Sequence, residues 1–171
     1  LTLWVGFIGA CVAARSGKLI ALTTATFIPE GIFRTVARTF SATVGAMVST
    51  LLAWAALDVV AIEMEFVREI ALGIPSWMFQ LVLPVAFGGI GLRLAWAAGS
   101  FWPRVVAWLG MSAGSLFEYS WESFDGAAGW PWVVLLVLAA IAGAPIFSVL
   151  AGAAAFLYMV NGFDPAVVPL F

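Results

Sequence analysis

Five stretches of this chain are almost free of charge, and the gaps between them alternate in the sign of the charge they carry. The first gap, Arg15 to Arg38, holds Arg15, Lys18, Arg34 and Arg38 against the single acid Glu30. The second, Asp58 to Glu69, holds Asp58, Glu63, Glu65 and Glu69 against Arg68. The third contributes Arg93 and Arg104, and the fourth Glu118, Glu122 and Asp125. Short loops rich in Lys and Arg stay in the cytoplasm, so the pattern predicts gaps one and three inside, gaps two and four outside, and one bilayer crossing per apolar stretch. Composition agrees, because 64% of residues are apolar and 9% charged, where a soluble domain carries about 25% charged residues. The expected fold is an all-α polytopic membrane protein with about five transmembrane helices.

The net charge of −2 says little about partners, since the charges are segregated by side and no basic run points to nucleic acid. The chain has no His, and its one Cys is Cys11. A disulfide or a His/Cys metal centre within the chain is therefore excluded, and no cofactor is expected.

A helix rises 1.5 Å per residue, so crossing the roughly 30 Å hydrocarbon core takes about 20 residues. Leu1 to Ala14 is shorter than that and is read as the remainder of a longer first span. A signal peptide is the competing reading, but no basic n-region is present and Arg15-Ser16-Gly17-Lys18 is not a cleavage site. The second span, Thr39 to Ile62, carries Ser41, Gly45, Ser49 and Ala53 at four-residue spacing. Such a stripe lets another helix approach closely, because van der Waals contact drives association in lipid. Gly, Ser and Ala are also simply common in membrane helices.

The third span, Ile74 to Trp96, has Pro84 near its middle, which predicts a kink. Gly88, Gly89 and Gly91 follow as a side-chain-poor surface for a neighbouring helix. The fourth, Val105 to Trp121, is the least apolar, with Ser112, Ser115, Glu118 and Ser120, but charge parity requires it. The fifth, Trp132 to Val160, is interrupted by Gly143-Ala144-Pro145 and is too short for two full crossings, so one long, kinked or tilted helix is expected. Between spans, Phe27 to Phe40 sets Ile32, Phe33, Val36 and Phe40 on one helical side and Arg34 and Arg38 on another. This reads either as an in-plane cytoplasmic helix whose arginines meet anionic headgroups, or as an extension of the second span.

Charge inside a bilayer costs about 2.5–3.5 kcal/mol at the centre on insertion scales, so intramembrane ionisable groups are first suspected of function. Asp58 is the candidate here, near the outer end of its span, and a relay would want a second polar group at depth, for which the sequence offers Gln80 and scattered hydroxyls. Asp58, Glu65 and Glu69 share one helical stripe if the second helix continues beyond the membrane, with Arg68 beside Glu65. An acidic outer surface of this kind is either solvated or a docking site for a partner of complementary charge. Without His, no Ser–His or Cys–His pair can be assembled, so an enzyme is not expected.

Three segments together carry a resemblance: Gly9-Ala10-Cys11-Val12-Ala13-Ala14-Arg15-Ser16-Gly17-Lys18, Leu72-Gly73-Ile74-Pro75-Ser76-Trp77 and Leu83-Pro84-Val85-Ala86-Phe87. They resemble the small permease subunit of TRAP (tripartite ATP-independent periplasmic) transporters. Val134 to Phe171, with Gly143-Ala144-Pro145-Ile146-Phe147 and Asn161-Gly162-Phe163-Asp164-Pro165, is similar to the opening of the large permease subunit. Some members carry both subunits on one polypeptide joined by an extra crossing helix, and Val105 to Trp121 is where that helix would fall. One departure is Lys18-Leu19-Ile20, where the family often has Glu-His-Ile followed by Asp. Any contact made by that His has no counterpart here.

The resemblance implies residues 1–103 as a scaffold with a truncated N-terminus, 104–131 as connecting helix and periplasmic loop, and 132–171 as the start of the large subunit. It implies sodium-driven import of small organic acids, such as dicarboxylates or sialic acids, across the bacterial inner membrane. The implied partners are the large permease subunit, a periplasmic solute-binding protein and membrane lipids. On this reading Glu65, Arg68 and Glu69 receive the binding protein, while Gly45, Ser49, Pro84, Gly88 and Gly89 pack helices. The solute and sodium sites would lie beyond Phe171. Competing classes are a membrane scaffold or assembly protein outside transport, and an ion-coupled carrier in its own right.

Overall fold

The longest element, α1, runs Ile32–Phe66, 35 residues without a proline. In the computed structural model, residues 5, 6, 9, 12, 31–66, 69–71, 74–120 and 130–160 are described. At 1.5 Å per residue α1 is about 52 Å long, well beyond the hydrocarbon thickness. Its first turns contain Arg34 and Arg38, so the described part of the proposed in-plane helix, Ile32 to Phe40, is the start of α1 and not a separate element. Nothing between Thr35 and Thr43 breaks the ladder. The hydroxyls of Thr35, Thr39 and Thr43 each donate to the carbonyl four residues back, at 3.3, 2.8 and 2.8 Å. Phe27 to Glu30 and most of Leu1 to Ala14 lie outside the described residues.

After α1, strand β1 (Glu69–Ala71) pairs antiparallel with β2 (Ile74–Pro75) in a short irregular ladder, Glu69 opposite Pro75 and Ala71 opposite Ile74. This five-residue ladder apart, the named elements are all helices, in keeping with the all-α expectation. Next come α2 (Ser76–Gln80) and α3 (Val82–Ala97), separated only by Leu81. The break falls three residues ahead of Pro84, whose ring nitrogen cannot donate to the carbonyl of Gln80. The backbone is carried across it by Leu81 N–H to Trp77 O at 3.1 Å and Val85 N–H to Leu81 O at 3.5 Å. Gly99, at φ +113°, then turns the chain into α4 (Phe101–Ser120), 20 residues long.

Among the described residues two segments are both long and apolar enough to cross a membrane: Ile32–Glu65 and Ser76–Ala97. Helix α4 has the length but is less apolar. Its serines return their protons to their own helix, Ser112 to Leu109 O at 3.0 Å and Ser115 to Ser112 O at 2.9 Å, which lowers the cost of an apolar setting.

The expected single fifth helix is instead two: α5 (Trp130–Ile141, 12 residues) and α6 (Ile146–Val160, 15 residues). Gly143 adopts φ +85°, Ala144 N–H reaches back to Ala139 O at 2.9 Å and Gly143 N–H to Ala140 O at 3.1 Å. This paired bonding is the Schellman arrangement, which closes a helix on a left-handed residue. Pro145, which cannot continue the helix, follows. The chain then folds back, because the Trp132 indole N–H donates to Gly152 O at 3.0 Å across 20 residues of sequence. A straight helix would hold those two residues about 30 Å apart. Each arm is about 18–22 Å long and shorter than the hydrocarbon core.

Helix α1 touches each of α2 to α6. On one face Val44, Val48 and Leu52 meet Ala139 and Ala144 of the α5–α6 hairpin, while Ala46 joins Ala95, Ala98 and Ala107 of α3, α4 and their connection. Many large apolar side chains point outward, among them Val85 at 72% exposure, Leu116 at 66% and Leu150 at 65%. Apolar surface spread this widely is a liability in water but is matched by lipid tails.

Candidate functional site

Small residues fix how closely the helices approach. A Cβ built on Gly110 would stand 2.6 Å from Thr43 Cγ2 and 2.8 Å from Thr43 O, and one on Gly114 only 2.6 Å from Met47 O. Real Cβ atoms do not come that near a carbonyl oxygen, so α4 lies backbone-to-backbone on α1 at this point. The two contacts advance together, four residues on each helix, so α1 and α4 run in the same direction. Helix α3 runs against them: Gly91 faces Ser49 and Ala46, and Gly45 faces Leu94.

The stripe on α1 is accordingly placed at a seam. Gly45 sits between Leu94 and Pro145, Ser49 is fully buried with its hydroxyl donating to Gly45 O at 2.7 Å, and Ser41 is buried as well. Pro84 is buried on α3. A Cβ built on Gly88 would meet nothing within 4 Å among the described residues, Gly89 is exposed, and Gly91 makes a close contact to α1. The Gly110-Met111-Ser112-Ala113-Gly114 segment is a small-xxx-small pair whose spacing signals such a contact.

The two ends of the bundle differ in charge. At one, the last turns of α1 present Asp58 and Glu65, both exposed, and the half-buried Glu63. Ser76, 4% exposed at the start of α2, donates its hydroxyl to Glu63 Oε1 at 2.6 Å. That bond ties the start of α2 to the end of α1, and it gives the Ser76 of the Ile74-Pro75-Ser76-Trp77 segment a defined task. Because α1 stops at Phe66 and Glu69 lies in β1, the expected helical stripe of Asp58, Glu65 and Glu69 does not form: Asp58 and Glu65 share the helix and Glu69 does not. Arg68 lies outside the described residues. Gln80 is half-buried, and its Oε1 has no hydrogen-bond partner among the described residues.

At the other end, Arg34 and Arg38 stand one turn apart on α1 beside a cavity of about 320 Å³. The Arg104 guanidinium lies 5.7 Å from the centre of the Trp96 ring, a cation–π distance. Arg93 and Trp96 line a second cavity of about 250 Å³. Along α1, Arg38 and Asp58 are separated by about 30 Å of helix, the thickness of a hydrocarbon core.

Residues 1–105 match the family described as "Tripartite ATP-independent periplasmic transporters, DctQ component". The chain belongs to this family. It is thus a small permease component of a TRAP transporter, a membrane part of a transport system and not a member of an enzyme family. The family assembles with a large permease component and a periplasmic binding protein. Among curated proteins and among solved structures, none matches the chain. The family match takes in α1 to α3 and the first turn of α4, and it leaves the α5–α6 hairpin outside.

Proposed function

We propose that this segment is the stationary, scaffolding part of a sodium-driven importer of small organic acids, embedded in the inner membrane by several crossings. The observation that carries this reading is α1, a single unbroken rod against which α2 to α6 all pack. A moving carrier needs two bodies that slide or rock past each other; backbone contacts such as Gly114 on Met47 resist such sliding. The buried polar side chains among the described residues are Ser41, Ser49, Ser76 and Ser148, and the last three donate within the chain. This supports transport sites elsewhere, in the large permease part, and the likeness of Gly143-Ala144-Pro145-Ile146-Phe147 to the opening of that part favours a place for it on the same polypeptide.

The acidic end, carried by Glu65 with Arg68 and Glu69 nearby in sequence, is the proposed landing surface for the periplasmic binding protein. Charged rims act mainly on the rate of encounter. The test is uptake of labelled succinate or N-acetylneuraminate into proteoliposomes containing the complete transporter. Uptake should require both an inward sodium gradient and a cognate binding protein. Uptake that proceeds without either one would overturn the reading.

A further inference from the structure

Helices α1 and α4 run in the same direction, so both begin at the basic end of the bundle. Their starts border one cavity of about 320 Å³, with Gly31, Arg34 and Arg38 on the α1 side and Gly99, Ser100 and Pro103 on the α4 side. Gly31 and Gly99, both at the cavity wall, have φ of +138° and +113°, a backbone conformation that favours glycine. The first amides of a helix have no partner inside it, and the aligned peptide dipoles leave partial positive charge there. Two such termini and two arginines, Arg34 and Arg38, thus border one space. Guanidinium groups offer paired donors matched to phosphate oxygens.

We propose that this cavity binds the phosphate of an anionic phospholipid from the adjoining leaflet. The surroundings favour a lipid over free phosphate. Phe33 on α1 is 77% exposed, and Phe101 and Trp102, in the first turn of α4, are 71% and 74% exposed. Apolar and aromatic side chains flanking an anion site suit the boundary between headgroups and acyl chains, and would have no use beside a soluble ion. Basic pockets between membrane helices on the cytoplasmic side take phospholipid headgroups in this way. The proposal needs the chain to sit in a membrane but does not depend on which solute is transported or on how the binding protein docks.

The test is native mass spectrometry of the complete, delipidated transporter chain titrated with phosphatidylglycerol, phosphatidylcholine and inorganic phosphate. Phosphatidylglycerol should bind in preference to phosphatidylcholine. The double variant R34Q/R38Q should weaken it roughly 30-fold, at about a fivefold loss per near-surface arginine. The pair R93Q/R104Q, at the same end but off this cavity, should retain binding. If R34Q/R38Q does not fold, Ser100→Asp serves: an acid at the start of α4 suits the helix dipole but puts negative charge at the cavity, so it should weaken phosphatidylglycerol while preserving the fold. Undiminished phosphatidylglycerol binding in these variants, or equal binding of phosphatidylcholine, would overturn the proposal. Displacement of the lipid by equimolar inorganic phosphate would assign the site to a soluble anion and overturn the lipid source. Sodium-coupled uptake, measured alongside, reports on the transport reading separately.

Discussion

The indole nitrogen of Trp132 donates to the carbonyl of Gly152 at 3.0 Å, and this bond closes α5 and α6 into a hairpin. Its turn is deeply placed, since Ala144 is fully buried and Pro145 rests against Gly45, about seven residues into α1 from Arg38. Irregular backbone at such a depth is tolerated only where protein covers it and its amides are satisfied. Here the Schellman pair and the Ser148 hydroxyl, which donates to Pro145 O at 2.7 Å, meet that condition. In the proposed membrane setting the hairpin returns to the side from which it entered. Single cysteines at Trp130 and at Leu157, in a Cys11→Ala background, should react alike with an impermeant thiol reagent on spheroplasts and on inverted vesicles. Opposite labelling of the two sites would mean one crossing and no hairpin.

Gly114 and Gly110 hold α4 at backbone distance from α1, and a methyl group at either must push the helices apart. Overpacking of this kind costs about 1–3 kcal/mol, against a gain of about 1 kcal/mol for Gly→Ala in a helix interior. Gly114→Ala, with the oxygen of Met47 in its path, should lower the midpoint of thermal unfolding in detergent. Gly88→Ala, whose added methyl would meet nothing within 4 Å among the described residues, should raise it or leave it unchanged. In the assembled transporter the order reverses if Gly88 and Gly89 receive a helix of the large subunit. Gly88→Ala and Pro84→Ala should then reduce co-purification of the two parts expressed as separate chains, and full recovery would remove them from that interface.

How much of this was legible in the sequence depended on the range of the signal. Long apolar stretches and segregated charge are properties of whole segments, so the helical, membrane-suited character and the two polar ends of the bundle could be read directly. Gly110 and Gly114 carried their own spacing signal but sat in the least apolar span, where the serines drew attention instead. The hairpin was hidden because Gly143-Ala144-Pro145 is equally consistent with a kink, and only the long-range bond from Trp132 to Gly152 separates the two. Glu63 could not be found at all. Its partner Ser76 is 13 positions away, and which of the second gap's acids meets it depends on where α1 ends.

Ser76 and Glu63 give a prediction of their own. A hydroxyl donating to a carboxylate is worth about 1.5–3 kcal/mol, more than a neutral pair. Ser76→Ala should therefore destabilise the fold by that order, with Glu63→Gln somewhat milder because the amide oxygen still accepts. The double variant should cost less than the sum of the two, since both remove the same bond. Strict additivity in a thermal or denaturant cycle would show that the bond contributes nothing to stability.

Glu65 tests the docking surface most directly, because it is exposed on the final turn of α1 and makes no contribution to the buried core. Reversing Glu65 and Glu69 to Lys in the complete transporter should slow uptake at limiting binding protein. It should also flatten the dependence of association on ionic strength, since salt screens exposed charges within about 10 Å at 0.1 M. Saturating binding protein should restore most of the rate, because a lost steering charge acts on encounter and not on the transport step. The control is Glu63→Gln, half-buried and bonded to Ser76, which should alter stability and leave the salt dependence of uptake as it was. Normal expression with unchanged uptake at limiting binding protein would remove the docking role from Glu65 and Glu69. It would leave the bundle, its two charged ends and the family membership as they stand.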